Sequence, residues 1–207
     1  MNGMKLIGIT GGVGAGKSLI LDYIEKNCNC TILLADRAAH LVFEPGQPCH
    51  EKLVELLGTE VLQEDGRIDR GKMAAAIFSN PSLLKRTNAI IHPAVKDLIL
   101  ERIEEERRSG RRDAFFLEAA LLIEEGYDRI LDELWYIHAD PESRRRRLKA
   151  SRGYSDEKIN GIFSSQLTEE EFLAHCKEVI DNSGSLSDTY RQIDEILKKA
   201  GLKNEIV

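Results

Sequence analysis

The sequence predicts an α/β fold, a five-stranded parallel sheet with helices on both faces, broken by a helical insertion and a later helical excursion. Three observations carry that expectation. An apolar run from Lys5 to Thr10 ends in glycines and passes at once into helical apolar spacing. Short apolar runs of strand length recur at Thr31–Leu34, Ala114–Leu117, Glu133–His138 and Glu178–Ile180. Between the second and third of these, over residues 37–111, helical periodicity and Pro/Gly punctuation take over.

Each element follows in order. After the first run, Leu19, Ile20, Tyr23 and Ile24 fall on one helical face, and Thr31–Leu34 comes within one helix length, as a right-handed βαβ unit requires. Punctuation at Glu44-Pro-Gly46, Glu64-Asp-Gly66, Asn80-Pro81 and His92-Pro93 divides the insertion into short helices. Proline restricts the residue before it to extended backbone, so one helix is expected to end at His92 before the next begins. Asp140-Pro-Glu142 starts an arginine-rich helix that ends near Gly153, and Ser155-Asp-Glu157 and the Thr168/Glu171 capping box start two more. A closing helix runs from about Ser187 to Ala200, apolar at Tyr190, Ile193, Ile196 and Leu197, and stops at Gly201. The expected organisation is one domain over 1–207: a core of 1–36, 112–143 and 176–207, an insertion at 37–111 and a lid-like excursion at 144–175.

With 42% hydrophobic residues, 31% charged residues and a net charge of −6, the composition speaks against a nucleic-acid partner. Cys28, Cys30, Cys49 and Cys176 form no C-x-x-C pair and have no histidine at metal spacing, so reduced thiols and no structural metal are expected. No apolar stretch approaches the length of a membrane span, and a cytoplasmic protein is expected.

The chemistry begins at Gly11-Gly12-Val13-Gly14-Ala15-Gly16-Lys17-Ser18, which satisfies G-x-x-x-x-G-K-[ST] between a strand and a helix. Glycines let successive N–H groups turn toward an anion, and the following helix adds its positive end. Lys17 is expected on the β- and γ-phosphates of ATP and the Ser18 hydroxyl on Mg²⁺. This phosphate-binding loop assigns the sheet to the three-layer P-loop NTPase class.

A GTPase would need N-K-x-D, which is absent, and the one D-x-x-G, Asp181 to Gly184, lies near the C-terminus. A regulatory ATPase keeps some support from Ala114–Glu118, a run of four apolar residues ending in acid. Against it, an insertion after the second strand and an arginine-bearing excursion after the fourth suit an acceptor site and a lid. Asp36 follows the second strand's carboxyl end, where open α/β sheets place ligand chemistry. A carboxylate there can orient a substrate hydroxyl and accept its proton, or it can cap a helix starting at Arg37. Four successive arginines, Arg144 to Arg147, cannot share a direction; Arg147 and Arg152 are the candidates for stabilising charge on a transferring phosphoryl group.

Over nearly its whole length the chain resembles the dephospho-CoA kinase family. Gly8 to Ser18 fits the family's G-[IL]-T-G-G-x-G-x-G-K-S, and Leu34-Ala-Asp36 with His40 resembles its D-A-D-x-x-x-H. Gly66 to Arg70 resembles G-x-[IL]-[DN]-R, His92-Pro93 its H-P step, Ala120 to Glu124 its P-L-L-x-E, and Ile180 to Gly184 its I-x-N-x-G. Leu34 stands where an aspartate is usual, Glu118 likewise, and Ala120 where a proline is usual; the Arg147 to Arg152 spacing is one residue longer. The resemblance implies phosphorylation of the 3′-hydroxyl of dephospho-coenzyme A by ATP with Mg²⁺, with Asp36 as the catalytic carboxylate. It implies acceptor contacts from His40, Asp69, Arg70 and His92, of which Asp69 and Arg70 have a helix-capping alternative. It further implies an adenine end near Asn182, and Glu118 toward the metal. A monomer acting on a small molecule is expected; the alternatives are another small-molecule P-loop kinase and a regulatory ATPase.

Overall fold

The computed structural model describes residues 3–78 and 80–202. In chain order its elements are β1 (Lys5–Thr10), α1 (Lys17–Asn27), β2 (Cys30–Leu34), α2 (Ala35–Val42), α3 (Pro48–Leu57), α4 (Arg70–Phe78) and α5 (Pro81–Ser109). Then follow β3 (Ala114–Glu118), β4 (Glu133–His138), α6 (Pro141–Arg152), α7 (Asp156–Ser164), α8 (Glu169–His175), β5 (Glu178–Asp181) and α9 (Leu186–Lys199). The chain divides into two compact units, one running up to Ile32 and resuming at Glu106, the other spanning Leu33–Glu105. The second unit thus begins and ends a few residues before the 37–111 insertion read from periodicity.

The first unit is built on a five-stranded sheet in the order β2-β3-β1-β4-β5. β1 pairs in parallel with β3 on one side and β4 on the other, and β4 pairs in parallel with β5. β1 and β2, consecutive in sequence, are therefore separated by β3. The chain crosses from one side of β1 to the other between β3 and β4, which puts the loop after β1 at the point where strand order reverses, the place open α/β sheets reserve for ligands. Strands buried on both faces need continuous apolar runs, and Ile7, Ile9, Phe115, Phe116, Leu117, Trp135 and Ile137 are all fully buried. Phe116 meets Trp135 edge-on at 5.4 Å. α1 and α9 pack together, burying Ile20, Ile24, Ile193 and Leu197 and stacking Tyr23 on Tyr190 at 4.0 Å. All four cysteines are free thiols.

The second unit is helical, with a 3₁₀ turn at Thr59–Val61 and a short bridge between Leu62 and Ile68. Its apolar centre includes Cys49, Leu53, Val61, Ile68, Met73, Val95 and Ile99. One expectation is corrected here: His92-Pro93 does not separate two short helices. α5 is a single helix of 29 residues that runs straight through Pro93. Buried Thr87 before the proline and Val95, Ile99 and Ile103 after it anchor the helix on both sides, and their packing outweighs the local restriction on His92.

Candidate active site

The loop from Gly11 to Ser18 joins β1 to α1 and is shaped by glycines at left-handed backbone angles. Gly11 has φ 147°, and a Cβ there would collide with the Ile137 carbonyl. Gly16, φ 93°, is the N-cap of α1; a Cβ there would strike the Asn182 amide. No side chain caps α1, so its first N–H groups are open to an anion, and phosphate is the ligand such a helix start accepts. Lys17 curls back over the loop, its Nζ donating to the Gly11 carbonyl at 2.9 Å and lying 3.6 Å from Glu118 Oε1 at the end of β3. Ser18 is exposed in the first turn of α1. Ser18 and Glu118 offer the hydroxyl and carboxylate oxygens that Mg²⁺ prefers. Among the described residues there is no cluster of three or more His, Cys, Asp or Glu, so a cation here would share its shell with phosphate and water.

Asn182 is 1% exposed and occupied in bracing the loop. Its Nδ2 donates to the Ala15 carbonyl at 2.7 Å, and its Oδ1 accepts from Thr189 Oγ1 at 3.2 Å. The side-chain amide is thus directed at the loop backbone.

The arginines of α6 diverge. Arg147 donates to the carbonyls of Ala15 at 3.2 Å and Asn182 at 2.6 Å, joining the loop to the residue after β5. Arg152 lies 5.8 Å from the Tyr154 ring, away from that contact set. Arg145 pairs with Asp156 at 2.7 Å, and Arg146 bonds Ser143. Arg144, which the sequence reading did not single out, reaches the loop: Nε donates to the Val13 carbonyl at 3.0 Å, Nη2 donates to Gln166, and the guanidinium lies 4.1 Å over the Phe163 ring. Burial pushes its pKa down from the ordinary value, with Tyr136 opposing. A signal for Arg144 existed in the sequence. With Pro141 as the first helical residue, positions 144, 147 and 148 share a face, and Leu148 is its apolar member.

Downstream, α8 packs on β4, where Phe172 stacks on Tyr136 at 4.6 Å and His138 Nδ1 lies 3.5 Å from Glu169.

In the helical unit, α2 begins at Ala35 with Leu34 as N-cap, so Asp36 is not the cap of a helix starting at Arg37. It is an exposed carboxylate in the first helical turn. One turn later His40 Nε2 accepts from Arg70 Nη1 at 2.6 Å, which puts the histidine's own proton on Nδ1. Asp69 is spent as a cap: its Oδ1 accepts the Lys72 N–H at 3.0 Å at the start of α4. His92 sits mid-α5, one residue before Pro93. The structure thus gathers Lys17, Ser18, Glu118, Arg147 and Asn182 around the loop in one unit. In the other it sets Asp36 and His40 one turn apart on α2, with Arg70 of α4 bonded to His40.

No helix among the described residues is long and apolar enough to cross a membrane. The dephospho-CoA kinase family model matches residues 5–188. The dephospho-CoA kinase of Geobacter sulfurreducens is 38% identical over 196 residues, covering 95% of this chain and 98% of its own. Among solved structures, the Thermus thermophilus protein TT1252 aligns with a TM-score of 0.79 at 31% identity, over 96% of this chain and 98% of that one. Dephospho-CoA kinase from Campylobacter jejuni aligns at 0.72 and 21% identity, over 94% and 96%, a likeness of fold. On the extent of the family match and the identity of its relatives, this chain belongs to the dephospho-CoA kinase family.

Proposed function

We propose that this protein transfers the γ-phosphoryl group of ATP to the 3′-hydroxyl of dephospho-CoA, giving coenzyme A and ADP. The observation that carries the reading is a glycine-shaped loop with an uncapped helix start and an inward-curled Lys17, in a chain that belongs to this family over nearly its whole length.

Phosphoryl transfer asks a protein mainly for positioning and charge stabilisation. The N–H groups from Gly11 to Ser18 hold the nucleotide phosphates, and Lys17 leaves the Gly11 carbonyl to follow the charge between β- and γ-phosphates. Ser18 and Glu118 would hold Mg²⁺, which supplies further neutralisation of phosphate charge. Asp36 orients the acceptor hydroxyl and takes its proton as the new P–O bond forms. In the His40–Arg70 pair, Arg70 supplies the cationic hydrogen-bond donors for the acceptor's diphosphate, with His40 holding its guanidinium. Arg144 and Arg147 are donors within reach of the loop and take the charge-stabilising role, whereas Arg152 lies apart. Asn182 serves the nucleotide site by bracing Ala15. In this reading the protein works in the cytoplasm as a single chain on a small-molecule acceptor, and no step needs a nucleic acid or a membrane.

The test is ADP release from purified protein with Mg-ATP, with and without dephospho-CoA, and mass spectrometry of the acceptor. Acceptor-dependent ADP and one phosphate gained at the 3′-position are the expected result. ADP released at the same rate without acceptor would overturn the kinase reading in favour of a regulatory ATPase.

A further inference from the structure

We propose that Gln166 sets how well this protein tells ATP from ADP: its side-chain oxygen competes with a γ-phosphate oxygen for the Val13 N–H and the Arg144 guanidinium. The inference rests on the ATP half of the function proposed above and adds a residue that decides which nucleotide is held.

One N–H group of the loop has two claimants. The glycine loop offers its backbone N–H groups to phosphate, yet the Val13 N–H points to Gln166 Oε1 at 3.4 Å. The same oxygen accepts from Arg144 Nη2. A loop N–H and a guanidinium converging on one oxygen are the donors that a phosphate oxygen takes. Gln166 Oε1 is thus a neutral oxygen seated on an anion's partners.

Arg144 supplies the second observation. Its guanidinium is half-buried, and its partners are neutral: the Val13 carbonyl at 3.0 Å, the Gln166 amide and the Phe163 ring at 4.1 Å. Among the described residues no carboxylate pairs with it, whereas its neighbour Arg145 has Asp156 at 2.7 Å. A guanidinium drawn out of water without a counter-ion favours an incoming anion. Gly12 makes the approach possible, because a Cβ there would collide with the guanidinium. The charge is therefore held directly against the loop.

The uncapped start of α1 and Lys17 serve a phosphate that ATP and ADP share. Val13 lies on the other limb of the loop, the one leaving β1, where Arg144 of α6 reaches it. The γ-phosphate is the group that ATP adds, and these two donors are assigned to it. ATP must take them from Gln166; ADP need not. The bond from Val13 is long for an N–H to oxygen contact, and hydrogen bonds to a charged oxygen are about twice as strong as neutral ones. The triphosphate therefore wins the exchange, at a cost in affinity. Arg144 stays in place when Gln166 is displaced, since the Val13 carbonyl and the Phe163 ring still hold it.

Two substitutions of similar size should move affinity in opposite directions. Gln166→Leu removes the competing oxygen, and Gln166→Glu gives it a charge. Calorimetry on the full chain uses Mg²⁺ with the β,γ-imido analogue of ATP, and Mg-ADP as the comparison. The analogue is expected to bind about fivefold tighter in Gln166→Leu, the worth of one neutral hydrogen bond. It should bind about tenfold more weakly in Gln166→Glu, whose carboxylate pairs with Arg144 and repels the γ-phosphate. Mg-ADP should stay within about twofold of wild type in both. Weaker binding of the analogue in Gln166→Leu overturns the proposal, since removing a merely structural glutamine does not raise affinity. An equal change for the analogue and ADP overturns it as well, and so does an unchanged analogue affinity in both variants. Either variant alone decides the matter, with the melting temperature as the control for folding. A protein that shows these shifts without making coenzyme A fails the proposed function and keeps the Gln166 assignment.

Discussion

Arg144 and Gln166 meet at Val13 of the phosphate loop. Arg144 Nε donates to the Val13 carbonyl at 3.0 Å, the Val13 N–H points to Gln166 Oε1 at 3.4 Å, and an Arg144 Nη donates to the same Gln166 oxygen. Both backbone groups of one loop residue are therefore held by side chains from α6 and from the segment joining α7 to α8.

Removing the guanidinium should loosen this clamp and take a cation away from the loop. Arg144→Ala is expected to lower kcat about a hundredfold and to raise the KM for ATP. Arg144→Lys should restore little, because one ammonium cannot serve two acceptors in fixed directions. Steady-state kinetics on both variants check this, and a lysine variant with wild-type kcat would count against the clamp.

Asp36 carries the acceptor chemistry in our reading, so Asp36→Asn should lower kcat about a thousandfold, within the span of general-base effects, while ATP still binds. Its place in the first turn of α2 is exposed, so the substitution leaves the core packing unchanged. Nucleotide binding by calorimetry beside the turnover assay separates the two steps, and near-normal turnover would refute the role.

Asn182 predicts a stability effect first. Asn182→Ala takes one hydrogen bond each from the Ala15 carbonyl, which keeps Arg147, and from the Thr189 hydroxyl in a buried setting. A cost of about 2 kcal/mol corresponds to a fall of roughly 5 °C in the melting temperature of a chain this size. Thermal unfolding with and without ATP checks it; an unchanged melting temperature would mean the amide is not bracing the loop.

Glu133 predicts an acid dependence. Burial alone would raise its pKa, but hydrogen bonds from Lys177 and from Trp135 Nε1, the latter at 2.9 Å, outweigh it and hold the carboxyl below its ordinary 4.5. A carboxyl with a depressed folded-state pKa adds stability above its unfolded value, and that stability is lost as pH falls through the folded one. The melting temperature of Glu133→Gln should therefore lie below wild type at pH 7 and converge with it as the pH falls below the ordinary 4.5 and through the lowered folded value. Parallel curves across that range would contradict the assignment.

Much of this molecule was legible in one dimension. Apolar runs of strand length gave all five strands to within a residue or two: β1, β3 and β4, buried on both faces, have almost no polar positions to blur the pattern, and the edge strands β2 and β5 keep a short apolar centre. The phosphate loop was legible because its geometry demands glycine at set positions. Helix starts at Pro141, Ser155 and Thr168 were legible because capping is a local interaction of neighbouring residues.

Sequence by itself thus determined the class of fold, the loop that binds phosphate and the family resemblance, since each rests on local backbone chemistry or on the order of motifs. Only the tertiary structure decided that α5 passes through Pro93, that β3 comes between β1 and β2, that Asn182 faces the loop backbone, and that Arg144 reaches Val13. Those outcomes depend on contacts between residues far apart in the chain. At Pro93 they override a local preference, and among four adjacent arginines they choose a direction that no spacing rule assigns to one side chain alone.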